Sequence, residues 1–141
     1  MSKIRLDHIG IAVNNLEEGA KFWQLLGLVP DDKSLQNIEQ GVNIMFFSTK
    51  EGDPTQIELL EPLDSDSPIA KFINKRGTGV QQLAFEVENI SEMIAHLIDN
   101  NIQMIDNIAK SGSHGSKIAF VHPKSTGGVL VELVQKQKTD S

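Results

Sequence analysis

Apolar and polar residues alternate along 4–13, a stretch rich in β-branched side chains, and this predicts a first strand. The pattern then changes period. Leu16, Ala20, Trp23 and Leu26 or Gly27 recur at helical spacing, with Asn14 or Asn15 as N-cap, Glu17 and Glu18 in the first turn and Gly27 as the stop. A helix over 16–27 follows, with Trp23 on its core face. After a strand start at Leu28-Val29 and a polar loop to residue 40, residues 42–48 and 56–61 read as two strands joined by the Lys50–Pro54 turn. A polar connector over 62–68 ends in Ser67-Pro68, an N-cap and first-turn proline for a short helix over 69–75 stopped by Gly77.

The same order then recurs. Residues 80–87 read as a strand, and Asn89 caps a helix over 90–99 with Ile90, Met93, Ile94 and Leu97 on one face. A short strand near 103–105 precedes the loop 111–116, and 117–122 with 128–135 close as a hairpin around Pro123–Gly127. The polar tail from Lys136 is expected to fray. The predicted class is α+β, built from two βαβββ modules over 4–62 and 79–136, with a connector over 63–78.

The recurrence extends to residues. The segment 6–16 is echoed at 80–90, placing His8 on Gln82 at an offset of 74 (82 − 8). Ile57-Glu58-Leu59-Leu60 is echoed by Val131-Glu132-Leu133-Val134 at the same offset (132 − 58). All four polar members could ligate a metal, and a duplicated fold offers a way to bring two such pairs together about a pseudo-twofold axis. Strand alternation sends Ile9, Ile11 and Val13 toward the helix and His8, Gly10 and Ala12 to the opposite face. Gln82, Ala84 and Glu86 oppose Leu83, Phe85 and Val87 in the same way; Glu58 shares a face with Gln56 and Leu60, and Glu132 with Leu130 and Val134. The face away from the core thus carries one ligand-type side chain on each of four strands, beside small residues that leave room. Taken alone, a strand histidine is more often structural than ligating, and a glutamine rarely ligates. Their matched positions favour a site, and a buried carboxylate between Val131 and Leu133 needs a partner that a cation would supply. His96, His114 and His122 read as structural or solvated.

Composition narrows the chemistry. Of 141 residues, 39% are hydrophobic and 23% charged, which suits a water-soluble globular chain with a sound core. The formal charge of −6 argues against nucleic acid or an anionic membrane as partner. With no cysteine, disulfides, thiolate metal sites and cysteine nucleophiles are excluded together. No signal peptide and no transmembrane run is read, so a cytoplasmic location is expected.

Four motifs carry a resemblance: Leu6–Val13, Gln56–Pro62, Ser67–Phe72 and His122–Leu133. With them the chain resembles the vicinal oxygen chelate superfamily (glyoxalases, bleomycin-resistance proteins and dioxygenases), and most closely its methylmalonyl-CoA epimerase branch. The resemblance implies paired βαβββ modules in an open, eight-stranded, barrel-like sheet with a metal cleft, and many members are homodimers. It assigns His8, Glu58, Gln82 and Glu132 to ligand positions for one divalent ion, of the cobalt, nickel, manganese, magnesium or zinc kind. Two departures stand out. Gln81-Gln82 replaces the His-His pair usual in epimerases, although glutamine ligates at the symmetry-related position in some glyoxalase I enzymes. Several epimerases carry a glutamate three residues after the glycine of a Glu-Gln-Gly-Val segment; here Glu39-Gln40-Gly41-Val42 is followed by Asn43 and Ile44.

What the resemblance implies is epimerisation of an acyl-CoA through a metal-stabilised enolate, with Glu132 as base and Glu58 as second acid/base. The alternatives are a glyoxalase I-like lyase acting on a thiol hemithioacetal, favoured by Glu58, and a non-catalytic small-molecule-binding protein, favoured by Gln82 and Ile44. Lys124, Ser125 and Thr126 form either a contact to the acyl carrier or a turn with no ligand duty.

Overall fold

A computed structural model describes residues 3–31, 35–37 and 41–138. Two compact units make up the chain: residues 8–81, and residues 82–141 together with 1–7. The first holds most of one βαβββ module. Strand β1 (Arg5–Ala12) leads to helix α1 (Leu16–Leu26), then to β2 (Val29–Pro30), β3 (Leu35–Asn37), β4 (Val42–Ser48) and β5 (Gln56–Pro62), and helix α2 (Pro68–Arg76) follows. β1 lies parallel to β5, β5 antiparallel to β4, and both β2 and β3 run along the far edge of β4. Those two short pieces form one interrupted edge ribbon.

Strand β6 (Gly79–Glu86) opens the second module, followed by helix α3 (Ile90–Asp99), β7 (Lys110–Ser111), β8 (Lys117–Val121) and β9 (Val131–Gln135). β6 is parallel to β9, β9 antiparallel to β8, and β7 pairs the far edge of β8. The strand expected at 103–105 is reduced to a single bridge, Met104 to Val121. It occupies the place of Pro30 opposite Phe47 in the first module, again at an offset of 74 (104 − 30). The edge ribbon is interrupted in both modules, a pairing that depends on the neighbouring strand and leaves no period-2 run to read.

The offset governs the hydrogen bonds as well as the residues. Asn15 Oδ1 accepts from Glu18 N at 3.0 Å, and Asn89 Oδ1 from Glu92 N at 3.0 Å, so each helix carries the same N-cap. Val13 N donates to Leu60 O at 2.9 Å as Val87 N donates to Val134 O at 2.8 Å; Asp31 N donates to Phe46 O as Ile105 N does to Phe120 O, both at 2.9 Å. The first amide of each helix is met from the last strand of its module: Leu16 N by Glu61 Oε2 and Ile90 N by Gln135 Oε1, both at 2.9 Å. Donors otherwise stranded at a helix start are thereby satisfied.

The helix faces pack as alternation requires, with one exception. Ile11, Val13, Leu16, Ala20 and Trp23 meet Phe47, Ile57 and Leu59, while Ile90, Met93, Ile94 and Leu97 meet Ala119, Val121 and Leu133. Gly19 is required where α1 meets the end of β1, because a Cβ there would stand 2.7 Å from Val13 Cγ1. Phe47, Leu59 and Ile90 are fully buried, each contributing roughly 1.5–3 kcal/mol. The exception is at the end of α1, where Leu26 or Gly27 was expected to complete the core face but Leu26 is 63% exposed. Gly27 takes φ 113° and closes the helix through its N–H to Gln24 and Trp23 carbonyls, and it is Leu28 beyond the cap that packs inward.

Helix α2 covers part of the opposite face. Ile69, Phe72 and Ile73 pack on Ala12, Val42, Ile44, Phe46 and Leu60, so that face is not as open as its small residues suggested. The tail differs from expectation as well: Lys136 Nζ reaches Asp7 Oδ1 at 2.8 Å, and Arg5 bonds both Asp7 (2.9 Å) and Glu86 (2.7 Å). The part of the expected fraying at 139–141 lies outside the described residues. No helix among the described residues is long and apolar enough to cross a membrane.

Candidate functional site

Each module presents one buried polar pair at equivalent positions. Gly10 lies directly opposite Glu58, and Ala84 directly opposite Glu132. His8 and Gln82, two residues earlier on the same faces, are the diagonal neighbours of those glutamates, a separation that long side chains span. Glycine and alanine at the opposing positions leave the glutamates room to lie along the strand.

In the first module His8 Nε2 stands 3.4 Å from Glu58 Oε1, both side chains about 6% exposed. That is longer than a normal hydrogen bond. It is close to the roughly 3–3.4 Å separating two donor atoms that share one ion at about 2.0–2.2 Å. Phe46, directly opposite Glu58 across β4, sets its ring edge-on to the imidazole at 5.7 Å and 86°. In the second module Gln82 Nε2 donates to Glu132 Oε1 at 2.5 Å, a buried charge-assisted hydrogen bond. Phe120 stands opposite Glu132 as Phe46 stands opposite Glu58. Lys110 Nζ lies 5.2 Å from the Phe120 ring centroid and 3.3 Å from Asp106.

His8, Glu58, Gln82 and Glu132 are therefore buried, and the structure brings His8 to Glu58 and Gln82 to Glu132. Within neither unit are three or more His, Asp or Glu side chains gathered as a metal-holding group among the described residues. Each offers a pair. The donor chemistry fits a divalent ion: imidazole nitrogen, carboxylate and amide oxygens, with thiolate excluded by composition. In each pair the buried carboxylate also favours a cation over an apolar occupant.

The remaining candidates have local duties. His122 Nδ1 accepts from Lys124 N, His96 and His114 are exposed, and His114 sits at φ 57° in a short 3₁₀ turn. Ser125 Oγ accepts from Gln103 N at 2.9 Å, and Thr126 Oγ1 is bonded to Val129 through both its N–H and its carbonyl. The 123–127 turn thus uses one hydroxyl to tie itself to Gln103 and one to fix the chain at Val129. Ile44 is 3% exposed and packs with α2, while Glu39 and Gln40 lie outside the described residues. Phe46 and Phe120 were not among the expected site residues, although their own offset of 74 (120 − 46) was present in the sequence.

Comparison with known proteins places the fold. The model of the glyoxalase/bleomycin resistance protein/dioxygenase superfamily matches residues 7–120. The chain belongs to this superfamily. It is 41% identical over 132 residues to the uncharacterized protein YqjC of Bacillus subtilis, covering 93% of this chain and 91% of that one. It is 38% identical over 132 residues to human mitochondrial methylmalonyl-CoA epimerase, covering 93% and 73%. Among solved structures, a variant of Streptomyces coelicolor methylmalonyl-CoA epimerase in complex with 2-nitronate-propionyl-CoA superimposes with a TM-score of 0.87 at 33% identity, covering 97% of each chain. The α+β fold of paired βαβββ modules is that of the superfamily's epimerase structures.

Proposed function

We propose that this superfamily member is an epimerase of the methylmalonyl-CoA type, inverting the carbon between the thioester carbonyl and a carboxylate of an acyl-CoA. The observation that carries the reading is the duplicated buried pair, with Glu58 and Glu132 at equivalent register positions. The epimerase relatives support the substrate class. A divalent ion held by His8, Glu58, Gln82 and Glu132 would supply Lewis-acid stabilisation of negative charge building on the substrate's oxygens.

The chain's own residues carry the proton. Glu132, fixed by the Gln82 amide, breaks the C–H bond α to the thioester by accepting its proton, and the electron pair passes to the carbonyl. Glu58, held beside His8, delivers a proton to the other face of the same carbon. Buried surroundings keep both carboxylates from being levelled by water. A cysteine-free chain acting on a thioester suits the cytoplasm.

The test is deuterium incorporation. Incubation with methylmalonyl-CoA in deuterated water, with cobalt, nickel, manganese, magnesium or zinc added in turn, is expected to place one deuterium at the α carbon, read by mass spectrometry. Absence of incorporation with every metal overturns the proposal. The equivalence of the two glutamates favours one second reading, a glyoxalase I-like reaction. Turnover of a glutathione hemithioacetal without exchange into the acyl-CoA selects it. A protein that holds no divalent metal and turns over neither substrate is a binding member of the superfamily.

A further inference from the structure

The inner strands of the two modules keep one register, and the edge strands do not. In the first module Leu35 of β3 stands opposite Ile44. In the second, Lys110 of β7 stands opposite Ile118, the mate of Ile44 at an offset of 74 (118 − 44). The mate of Lys110 at that offset, Gln36, pairs with Asn43 instead, so the edges are out of step by one residue. An ammonium thus occupies an edge position where the sister module has a leucine. The fold itself needs no cation there.

Strand alternation puts this cation on the face of Glu132. Opposite residues share a face, so Lys110 lies with Ile118, Ile118 with Phe120 two residues on, and Phe120 with Glu132. Lys117, the other cation on β7, β8 and β9, alternates to the far side. Two contacts hold the Lys110 ammonium, for Nζ lies 3.3 Å from Asp106 Oδ1 and 5.2 Å from the centre of the Phe120 ring. Asp106 is itself fixed, because its Oδ2 accepts from Phe120 N at 2.9 Å. The lysine side chain is 37% exposed. An ammonium has three N–H donors, and one carboxylate with one ring leaves donors for a further anion.

We infer that Lys110 binds the free carboxylate of the substrate and so selects acyl-CoA thioesters that carry one on the α carbon. The inference rests on the epimerase reading for the identity of the substrate. Such a substrate has two unlike arms on the reacting carbon, an anionic carboxylate and a neutral thioester. Glu132, Asp106 and a net charge of −6 repel the anionic arm unless a cation faces it. Lys110 supplies that cation, as a charge-assisted donor that the thioester arm cannot use as well. Because the first module has Leu35 at the corresponding place, the charge also fixes which arm lies against the second module.

Calorimetric titration of the full chain with methylmalonyl-CoA and with propionyl-CoA, which lacks only the carboxylate, tests this. The wild type is expected to bind methylmalonyl-CoA at least about tenfold more tightly. Lys110→Met keeps an apolar stem over the Phe120 ring and removes the charge. It is expected to weaken methylmalonyl-CoA about 10- to 100-fold and propionyl-CoA by no more than about threefold, which abolishes the preference. Lys110→Arg should retain the preference, and Lys110→Gln should lose it as the methionine variant does, with thermal midpoints recorded for all three. A lysine that merely clips the chain to Asp106 would on removal weaken both ligands alike, and that result overturns the inference. So does a wild type without preference, or a preference that survives in both uncharged variants. A preference that depends on Lys110 without deuterium incorporation keeps this inference and removes the epimerase. Incorporation with a preference indifferent to Lys110 does the opposite.

Discussion

The two modules share a hydrogen-bond skeleton and differ in what hangs on it. N-caps, crossover amides and the registers of the two inner strand pairs of each module repeat residue for residue at an offset of 74, yet one buried pair is imidazole and carboxylate at 3.4 Å and the other amide and carboxylate at 2.5 Å. Backbone donors must be satisfied wherever a βαβββ unit is buried, which preserves the skeleton in both copies. Side chains on the face away from the helix answer to no such rule. Differences gather there and on the edge strands, and those are the places where function is to be sought.

The comparison can be broken most sharply at the glutamates. Glu132→Gln should lower both exchange and inversion about 10²- to 10⁴-fold, the range for loss of a general base. Glu58→Gln should lower inversion as much while sparing exchange for the epimer whose proton faces Glu132. Mass spectrometry with chiral analysis of the acid separates the two. Equal loss of exchange in both variants would remove the division of labour.

Packing gives the next largest effect. Phe47 and Val121 are mates in the two cores, exposed 0% and 3%. Phe47→Ala should cost about 3–5 kcal/mol. Val121→Ala removes two methyl groups at about 0.8 kcal/mol each. Urea denaturation measures both, and near-equal costs would mean that the first module relaxes around its cavity.

Exchanging the pairs tests the asymmetry itself. Gln82→His makes the second pair resemble the first, and His8→Gln makes the first resemble the second. If the four residues hold an ion, zinc affinity by chelator competition should rise in the former and fall in the latter, each by at least about tenfold, because imidazole outcompetes a neutral amide oxygen. Affinity unchanged in both would assign the ion to other residues. Smallest of all are the shared caps: Asn15→Ala and Asn89→Ala should each cost about 1 kcal/mol, and equally, by thermal unfolding.

Much of this was legible in the chain. Both N-cap asparagines, the Ser67-Pro68 start of α2 and the bounds of β4 and α3 follow from local chemistry that each residue carries alone. The four buried polar residues were found because a repeat correlates positions far apart. What escaped were features settled by neighbours. The pairing of β3 and β7 is decided by the strand beside them, and Leu26 turned outward because the chain leaves the helix at Gly27 and sends Leu28 in. Phe46 and Phe120 gain their meaning only once β4 and β8 lie against the glutamate strands. Lys136, read as part of a loose tail, is tied by an acid 129 residues away (136 − 7), and nothing local announces it.

That tie sets a timetable. Asp7 leaves the ribosome long before Lys136 is made; at about 5–20 residues per second the wait is on the order of ten seconds. During that interval His8–Gln81 can already close its own core, since no residue of its clusters lies beyond Ile73. Arg5 can meet Glu86 once β6 has emerged, but Asp7 receives Lys136 only after the last strand has emerged.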